Sequence, residues 1–393
     1  MVRGTIQKLR RLFSNGEKDQ PEFALALSGG GARASYQVGV LKYIARAFPE
    51  ANFGILTGVS AGAINAAHLA NDPNPFPTSI DNLVDSWSNL LSENVYATES
   101  SLKFLWNIVR DVEENDRHGW VDTSPLRAYL EEKLHAEDGR LTHISERIRQ
   151  GSLKAAAIIT TSYSTGQTVV WVQGRDIEAW ERPNRVAIRT TLTVDHIMAS
   201  SSIPFLFPAV RIGEAWYGDG GIRLSAPLAP AIHLGADRIL AVSTRYARSR
   251  READEPSVIG YPPTAQLIGI LMNAIFLDTL DQDAAMLERV NRLLEDVPER
   301  RRMGLRPIRL LLLRPSQDLG KLSGEYEHDL RGPLHLLARA FSSDKTKSPD
   351  WLSMLLFDRA YTTRLMEIGY EDAARQHDRI AAFLDRKATS FAA

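Results

Sequence analysis

The segment Gly58-Val59-Ser60-Ala61-Gly62 constrains this chain more than any other five residues. It reads as G-x-S-x-G between a short apolar run, Phe53 to Leu56, and a helical one, Ala61 to Leu69. A serine at such a junction sits on a sharp strand-to-helix turn, which lifts its hydroxyl out of the backbone at a helix N-terminus. Gly58 and Gly62 leave room for the tight turn and for close packing of helix on strand. Strand followed by helix is the repeating unit of an α/β fold.

A second glycine turn lies upstream. Phe23 to Leu27 is an apolar run of strand length, followed by Ser28-Gly29-Gly30-Gly31-Ala32-Arg33-Ala34. A helix is predicted from Ser35 to about Phe48, because Val38, Leu41, Ile44 and Ala45 recur at helical spacing. Three glycines at a strand end, aimed into a helix start, make a nest of N–H groups that binds an anion. In an acyl hydrolase that anion is the oxyanion of the tetrahedral intermediate. Gly29-x-Gly31-x-x-Ala34 also fits the dinucleotide fingerprint, which requires an acidic residue at the end of the second strand. That strand here ends in Gly58-Val59-Ser60, and the nearest acid, Glu50, precedes it. The missing acid counts against a nucleotide site.

A third turn is Trp216-Tyr217-Gly218-Asp219-Gly220-Gly221, after a hairpin predicted from Val210-Arg211-Ile212 and Ala215-Trp216-Tyr217 around Gly213-Glu214. Asp219 thus falls at a strand end. Alone, it would read as an Asx-turn residue.

In this order, the glycine nest, the serine turn and the Asp-Gly-Gly turn resemble the patatin-like phospholipase family. Ala199-Ser200-Ser201-Ser202-Ile203-Pro204-Phe205-Leu206-Phe207-Pro208 looks like the family's A-S-x-x-x-P-x-x-F-P segment, so the resemblance runs from Phe23 to Pro227. The family's loop reads Gly-Gly-Gly-x-Arg-Gly, and here its last position is Ala34. The resemblance implies a three-layer α/β/α fold with a mainly parallel central sheet. It implies a serine acyl hydrolase of lipid esters, of phospholipase A or lysophospholipase type, needing neither metal nor cofactor. Ser60 would be the nucleophile and Asp219 its base, with no histidine. The N–H groups of Gly29, Gly30 and Gly31 would form the oxyanion hole, with Arg33 nearby, and Gly58, Gly62, Gly220 and Gly221 would shape the turns. A carboxylate in water has a pKa near ~3.9 and is a poor base for an alcohol, so desolvation beside a lipid pocket must raise it. Two alternatives stand beside this reading. One is a Ser-His-Asp esterase, for which His233, His328, His335 and His377 follow Asp219 and His196 precedes it. The other is a non-catalytic lipid-binding protein on the same scaffold.

Further strands are predicted at Lys154 to Thr161, Thr168 to Trp171 and Arg238 to Val242, and alternate with helical patterns. Asn71 to Pro77 reads as a turn-rich break. Ile80 to Gln150 reads as mostly helical, with a helix start at Ser124-Pro125. Within it, Trp87, Leu90, Leu91, Leu105, Trp106 and Ile108 serve core packing or an acyl-chain pocket. The expected organisation is a basic tail over 1–20, a catalytic domain over 21–245, and a region over 246–393. In that last region a strand near 307–314 completes the core and a helical extension follows. A long helix is expected from Thr264 to Asp296, and a helical tail from Leu352 to Arg386 with a break at Gly369. In the basic tail, Ile6, Leu9, Leu12 and Phe13 share one helical face, a pattern suited to peripheral contact with a membrane.

The net charge of −1 gives no electrostatic basis for nucleic-acid binding. With no cysteine, disulfides and Cys-ligated metals are excluded. The first 20 residues lack the apolar stretch of a secretion signal, and no apolar run reaches the ~18 residues of a spanning helix. A cytoplasmic protein, peripheral to the membrane, is expected.

Overall fold

The computed structural model describes residues 21–97, 119, 121–249, 279–326 and 353–386, with isolated positions at 252, 254, 267, 270, 271 and 273–275. Expectations for the basic tail and for Leu105, Trp106, Ile108, His328 and His335 lie outside the described residues.

Among the described residues ten strands make one sheet: β1 (Phe23–Leu27), β2 (Ile55–Val59), β3 (Ala155–Ser162), β4 (Thr168–Gly174), β5 (Glu181–Arg182), β6 (Arg185–Arg189), β7 (Val210–Ile212), β8 (Ala215–Asp219), β9 (Arg238–Val242) and β10 (Arg309–Leu313). The main order is β10-β9-β1-β2-β3-β4-β6-β5. The run from β10 to β3 is parallel throughout, β4 joins β3 antiparallel, and β8 pairs antiparallel with both β7 and the C-terminal end of β3. The predicted hairpin is present, with Val210 opposite Tyr217 and Ile212 opposite Ala215.

The helices that matter for the site are α1 (Ser35–Ala47), α2 (Ala61–Asn71), α3 (Phe76–Asn89), α4 (Ser124–Lys133), α5 (Thr142–Gln150), α6 (Val194–Ser200), α7 (Thr279–Glu295), α8 (Arg359–Arg375) and α9 (His377–Leu384). Side chains alternate across a strand, so β1 sends Phe23, Leu25 and Leu27 into one core and Ala24 and Ala26 into another. The first core contains Val38 and Leu41 of α1, Ala63 and Ala67 of α2, and Leu365 and Ile368 of α8. The second contains Ala231, and Leu280, Ala284 and Leu287 of α7. The sheet is therefore covered on both faces, as a buried parallel sheet requires.

Two expectations need correction. The turn-rich stretch ends earlier than read: α3 begins at Phe76, with Pro77 in its first turn, where the missing N–H of proline costs nothing. Gly369 does not break the tail; α8 runs through it to Arg375, and the break falls at Gln376. Gly369 serves packing, since a Cβ there would lie 2.1 Å from the Tyr36 carbonyl oxygen of α1. Of the long helix expected from Thr264, residues 279–295 form α7, and the described positions between 267 and 275 are also helical.

Candidate active site

Three strand ends meet at the C-terminal edge of the parallel sheet. β2 delivers Ser60, β1 delivers the glycine turn, and β8 delivers Asp219 between Ser60's neighbours and β3. Ser60 lies at φ 56°, ψ −134°, a conformation that costs a non-glycine residue about 1–3 kcal/mol. The surroundings enforce it. A Cβ on Gly58 would stand 2.3 Å from the Gly62 carbonyl oxygen, and one on Gly62 would stand 2.4 Å from the carbonyl oxygens of Leu27 and Ser28. The Ser60 N–H donates to Ser200 Oγ at 2.9 Å, and Ser200 Oγ donates to the Ile159 carbonyl at 2.6 Å. Helix α2 starts one residue after Ser60, so its positive end lies at the hydroxyl.

Asp219 is fully buried. Its backbone N–H donates to Ser202 O at 3.0 Å and its carbonyl accepts from Thr161 Oγ1 at 2.8 Å. The Gly221 N–H donates to Asp219 Oδ1 at 2.8 Å. Oδ2 has no partner of regular hydrogen-bond geometry. The Ser60 hydroxyl lies close enough to favour the charged carboxylate, without the alignment of a full bond. Burial dominates and pushes the Asp219 carboxyl up to about 7, against the smaller opposing pull of Ser60 and the Gly221 N–H.

The glycine turn adjoins the serine: a Cβ on Gly29 would lie 3.0 Å from Ser60 Cβ and 3.7 Å from Ser60 Oγ. Gly30 and Gly31 have φ of 145° and 56°. Among the described residues, no protein oxygen accepts from the N–H groups of Gly29, Gly30 or Gly31. Arg33 is buried, and its Nε donates to Ser353 Oγ at 2.6 Å. Residues 353–357, all buried, form a strap behind the turn. A Cβ on Gly31 would lie 2.0 Å from the Met354 carbonyl oxygen. The strap is held by Tyr96 OH donating to Leu355 O at 3.2 Å, by Ser92 N–H donating to Phe357 O at 2.9 Å, and by Phe357 stacked on Trp87.

The structure thus brings Ser60, Asp219, the three glycines and the glycines of both other turns together, with Arg33 behind them. The described histidines among the triad candidates, His196, His233 and His377, are engaged elsewhere. His196 meets Trp171 edge to face, contacts Thr193 Oγ1 through Nδ1 at 2.8 Å, and is pulled down to about 4 by burial. His233 stacks on Trp180, and His377 meets Tyr43 OH at 2.8 Å. Sequence reasoning missed three contributors. Ser200 lies in the recognised segment with no role of its own there, Thr161 reads only as strand, and Tyr163 falls just beyond that strand with no signal of its own. The Tyr163 hydroxyl packs against Gly218, and both burial and the Asp219 charge raise its pKa.

Among the described residues no group of three or more His, Asp or Glu could hold a metal ion, and no helix is long and apolar enough to cross a membrane.

A model of the patatin-like phospholipase family matches residues 25–232, more than half of the chain and all three turns. The chain belongs to the patatin-like phospholipase family. This is a family of lipid-acyl hydrolases, and its matched segment holds Ser60, Asp219 and the glycine turn. Solved structures align with this chain at low identity. VipD from Legionella pneumophila aligns with a TM-score of 0.40 at 11% identity, over 92% of this chain and 67% of that one. Human GIVD cytosolic phospholipase A2, in complex with methyl gamma-linolenyl fluorophosphonate, aligns with a TM-score of 0.43 at 13% identity, over 93% and 59%. This chain therefore spans about three fifths of the length of the human phospholipase. No curated protein matches the sequence.

Proposed function

We propose that this patatin-like protein hydrolyses fatty-acyl esters of lipids, as a phospholipase A or lysophospholipase, through a Ser60–Asp219 dyad and an acyl-enzyme. The observation that carries the reading is the buried Asp219 carboxyl. One oxygen is fixed by the Gly221 N–H, and the other is left without a regular partner beside the Ser60 hydroxyl. A base with its pKa near neutrality is matched to proton transfer at physiological pH.

Asp219, ionised, takes the hydroxyl proton as Ser60 Oγ bonds to the ester carbonyl carbon. The carbonyl oxygen becomes an oxyanion facing the N–H groups of Gly29, Gly30 and Gly31, which no protein oxygen occupies among the described residues. The intermediate collapses, the alcohol leaves with the proton from Asp219, and the acyl group stays on Ser60. Water then gives a proton to Asp219 and attacks the acyl carbon, and the second intermediate expels Ser60 Oγ, which recovers that proton. The dipole of α2 and each oriented donor favour the oxyanion, a single donor being worth about 3–4 kcal/mol.

The encounter with substrate is proposed to be peripheral to a membrane. Phe205, Tyr163 and Trp216 are 71%, 45% and 38% exposed; Trp216 precedes the Asp219 turn, the Tyr163 hydroxyl contacts it at Gly218, and Phe205 follows Ser202, whose carbonyl accepts from the Asp219 N–H. Aromatic residues of this kind suit a lipid–water boundary. The test is labelling with a fluorophosphonate together with ester turnover. The wild type should label and hydrolyse, and Ser60→Ala should do neither. Persistent labelling of Ser60→Ala would remove Ser60 as the nucleophile.

A further inference from the structure

The direction of an amide N–H can be read from the carbonyl of its own peptide unit, because the two point oppositely across a trans peptide bond. All three units of the glycine turn have their carbonyls tied down. Ser28 O accepts from Gln37 Nε2 at 2.8 Å, which directs the Gly29 N–H. Gly29 O accepts from Thr244 Oγ1 at 2.7 Å, which directs the Gly30 N–H. Gly30 O accepts from the Arg33 N–H at 3.1 Å, which directs the Gly31 N–H. The last tie is local, and the Ser28 hydroxyl adds a longer local one to Gly29 O at 3.3 Å; Gln37 lies on α1 and Thr244 follows β9.

Gln37 is itself oriented by a buried relay. The Trp87 indole can only donate, and it donates to Asn65 Oδ1 at 2.7 Å. That turns Asn65 Nδ2 toward Gln37 Oε1, at 3.0 Å, and so turns Gln37 Nε2 toward Ser28 O. Gln37 and Asn65 are fully buried and Trp87 almost so, and no member of the relay can flip without stranding a buried polar atom. Asn65 stands on α2, little more than one turn beyond Ser60, so one relay references both the nucleophile's helix and the glycine turn.

We propose that Gln37 and Thr244 are the positioning residues of the oxyanion site. Each aims an amide hydrogen by holding the carbonyl of the same peptide unit, and Trp87 and Asn65 hold Gln37. Neither residue touches substrate. The inference rests on the Ser60 reading and adds which side chains give the donors their direction. It predicts a defect in the transition state alone, since a misaimed N–H stabilises the oxyanion poorly but leaves ground-state binding intact.

The test uses the full chain, with active sites counted by end-point fluorophosphonate titration and kinetics on a soluble ester. Thr244→Val keeps the shape and removes the hydroxyl. Its kcat per titrated site should fall about 10- to 100-fold with KM unchanged, and Thr244→Ser should restore it. Gln37→Met should show the same kcat-only loss in its folded fraction. Thr244→Val retaining kcat per site within about twofold, or losing KM instead, overturns the proposal; so does a Thr244→Ser that fails like Thr244→Val. A wild type that neither labels nor turns over overturns the Ser60 reading and this inference with it. A fully active wild type with an unimpaired Thr244→Val overturns this inference alone.

Discussion

Asp219→Asn should make the protein more stable as it destroys activity, and the gain should grow with pH. Asparagine has the shape of aspartate, keeps an acceptor for the Gly221 N–H, and can turn its amide toward Ser60. In the wild type, the carboxyl moves from its ordinary 3.8 to about 7 on folding, chiefly through burial. The sign follows from proton counts. Between these two values the folded chain holds a proton that the unfolded chain has lost, so raising the pH favours unfolding. The penalty is absent below pH 3.8 and complete above about 7. A shift of about 3 units corresponds to about 4 kcal/mol in full, of which about 2–3 kcal/mol develops between pH 5 and 8. Urea denaturation of both proteins at several pH values isolates this contribution, because every other titrating group is common to the two. The stability of Asp219→Asn relative to wild type should rise by about 2–3 kcal/mol across that interval, and kcat should drop at least about 100-fold. A difference that stays flat within about 0.5 kcal/mol would refute the buried, raised carboxyl from which the mechanism is argued.

The same carboxyl sets the pH profile: the base works ionised, so kcat/KM should climb about tenfold per unit up to a pH near 7 and level off above it. A plateau extending down to pH 5 would point to another base. Gly62→Ala should cost about 3 kcal/mol or more, because its Cβ would lie 2.4 Å from two backbone oxygens, and thermal denaturation will show whether the turn can yield. Phe205 is 71% exposed at φ 66°. Phe205→Ser should lower hydrolysis of vesicle lipid about tenfold, in line with one lost aromatic insertion, and spare a soluble ester. Equal losses on both substrates would place Phe205 within the site instead.

The elements of this site that sequence discloses are those written in local chemistry. Ser60 and Asp219 stand at strand ends flagged by glycines within two or three positions, and the Val210–Tyr217 hairpin is flagged by Gly213-Glu214. The paired carbonyls and donors are written at long range. Thr244 reaches Gly29 across 215 positions and Gln37 reaches Val242 across 205, and neither residue sits in a motif. Trp87 carried an apolar signal that was correct for burial and silent about its indole N–H. Gly369 shows the reverse failure, since local propensity marks a glycine as a helix breaker. Its real role depends on α1, more than three hundred residues away in the chain, coming within contact distance. The twofold covering of the sheet was legible because alternation along β1 and the helical spacing in α1 are both short-range patterns.

The strap at residues 353–357 gives the order of synthesis a consequence. A growing chain acquires Ser60 first and Asp219 next, and only afterwards the segment that seats Gly31 and receives Arg33. A ribosome-bound intermediate stopped before residue 353 holds the reacting groups without the backing of their anion cradle. Catalytic competence is therefore deferred until residues 353–357 have been made, and a chain ending before residue 353 should carry every signature residue and cut no lipid.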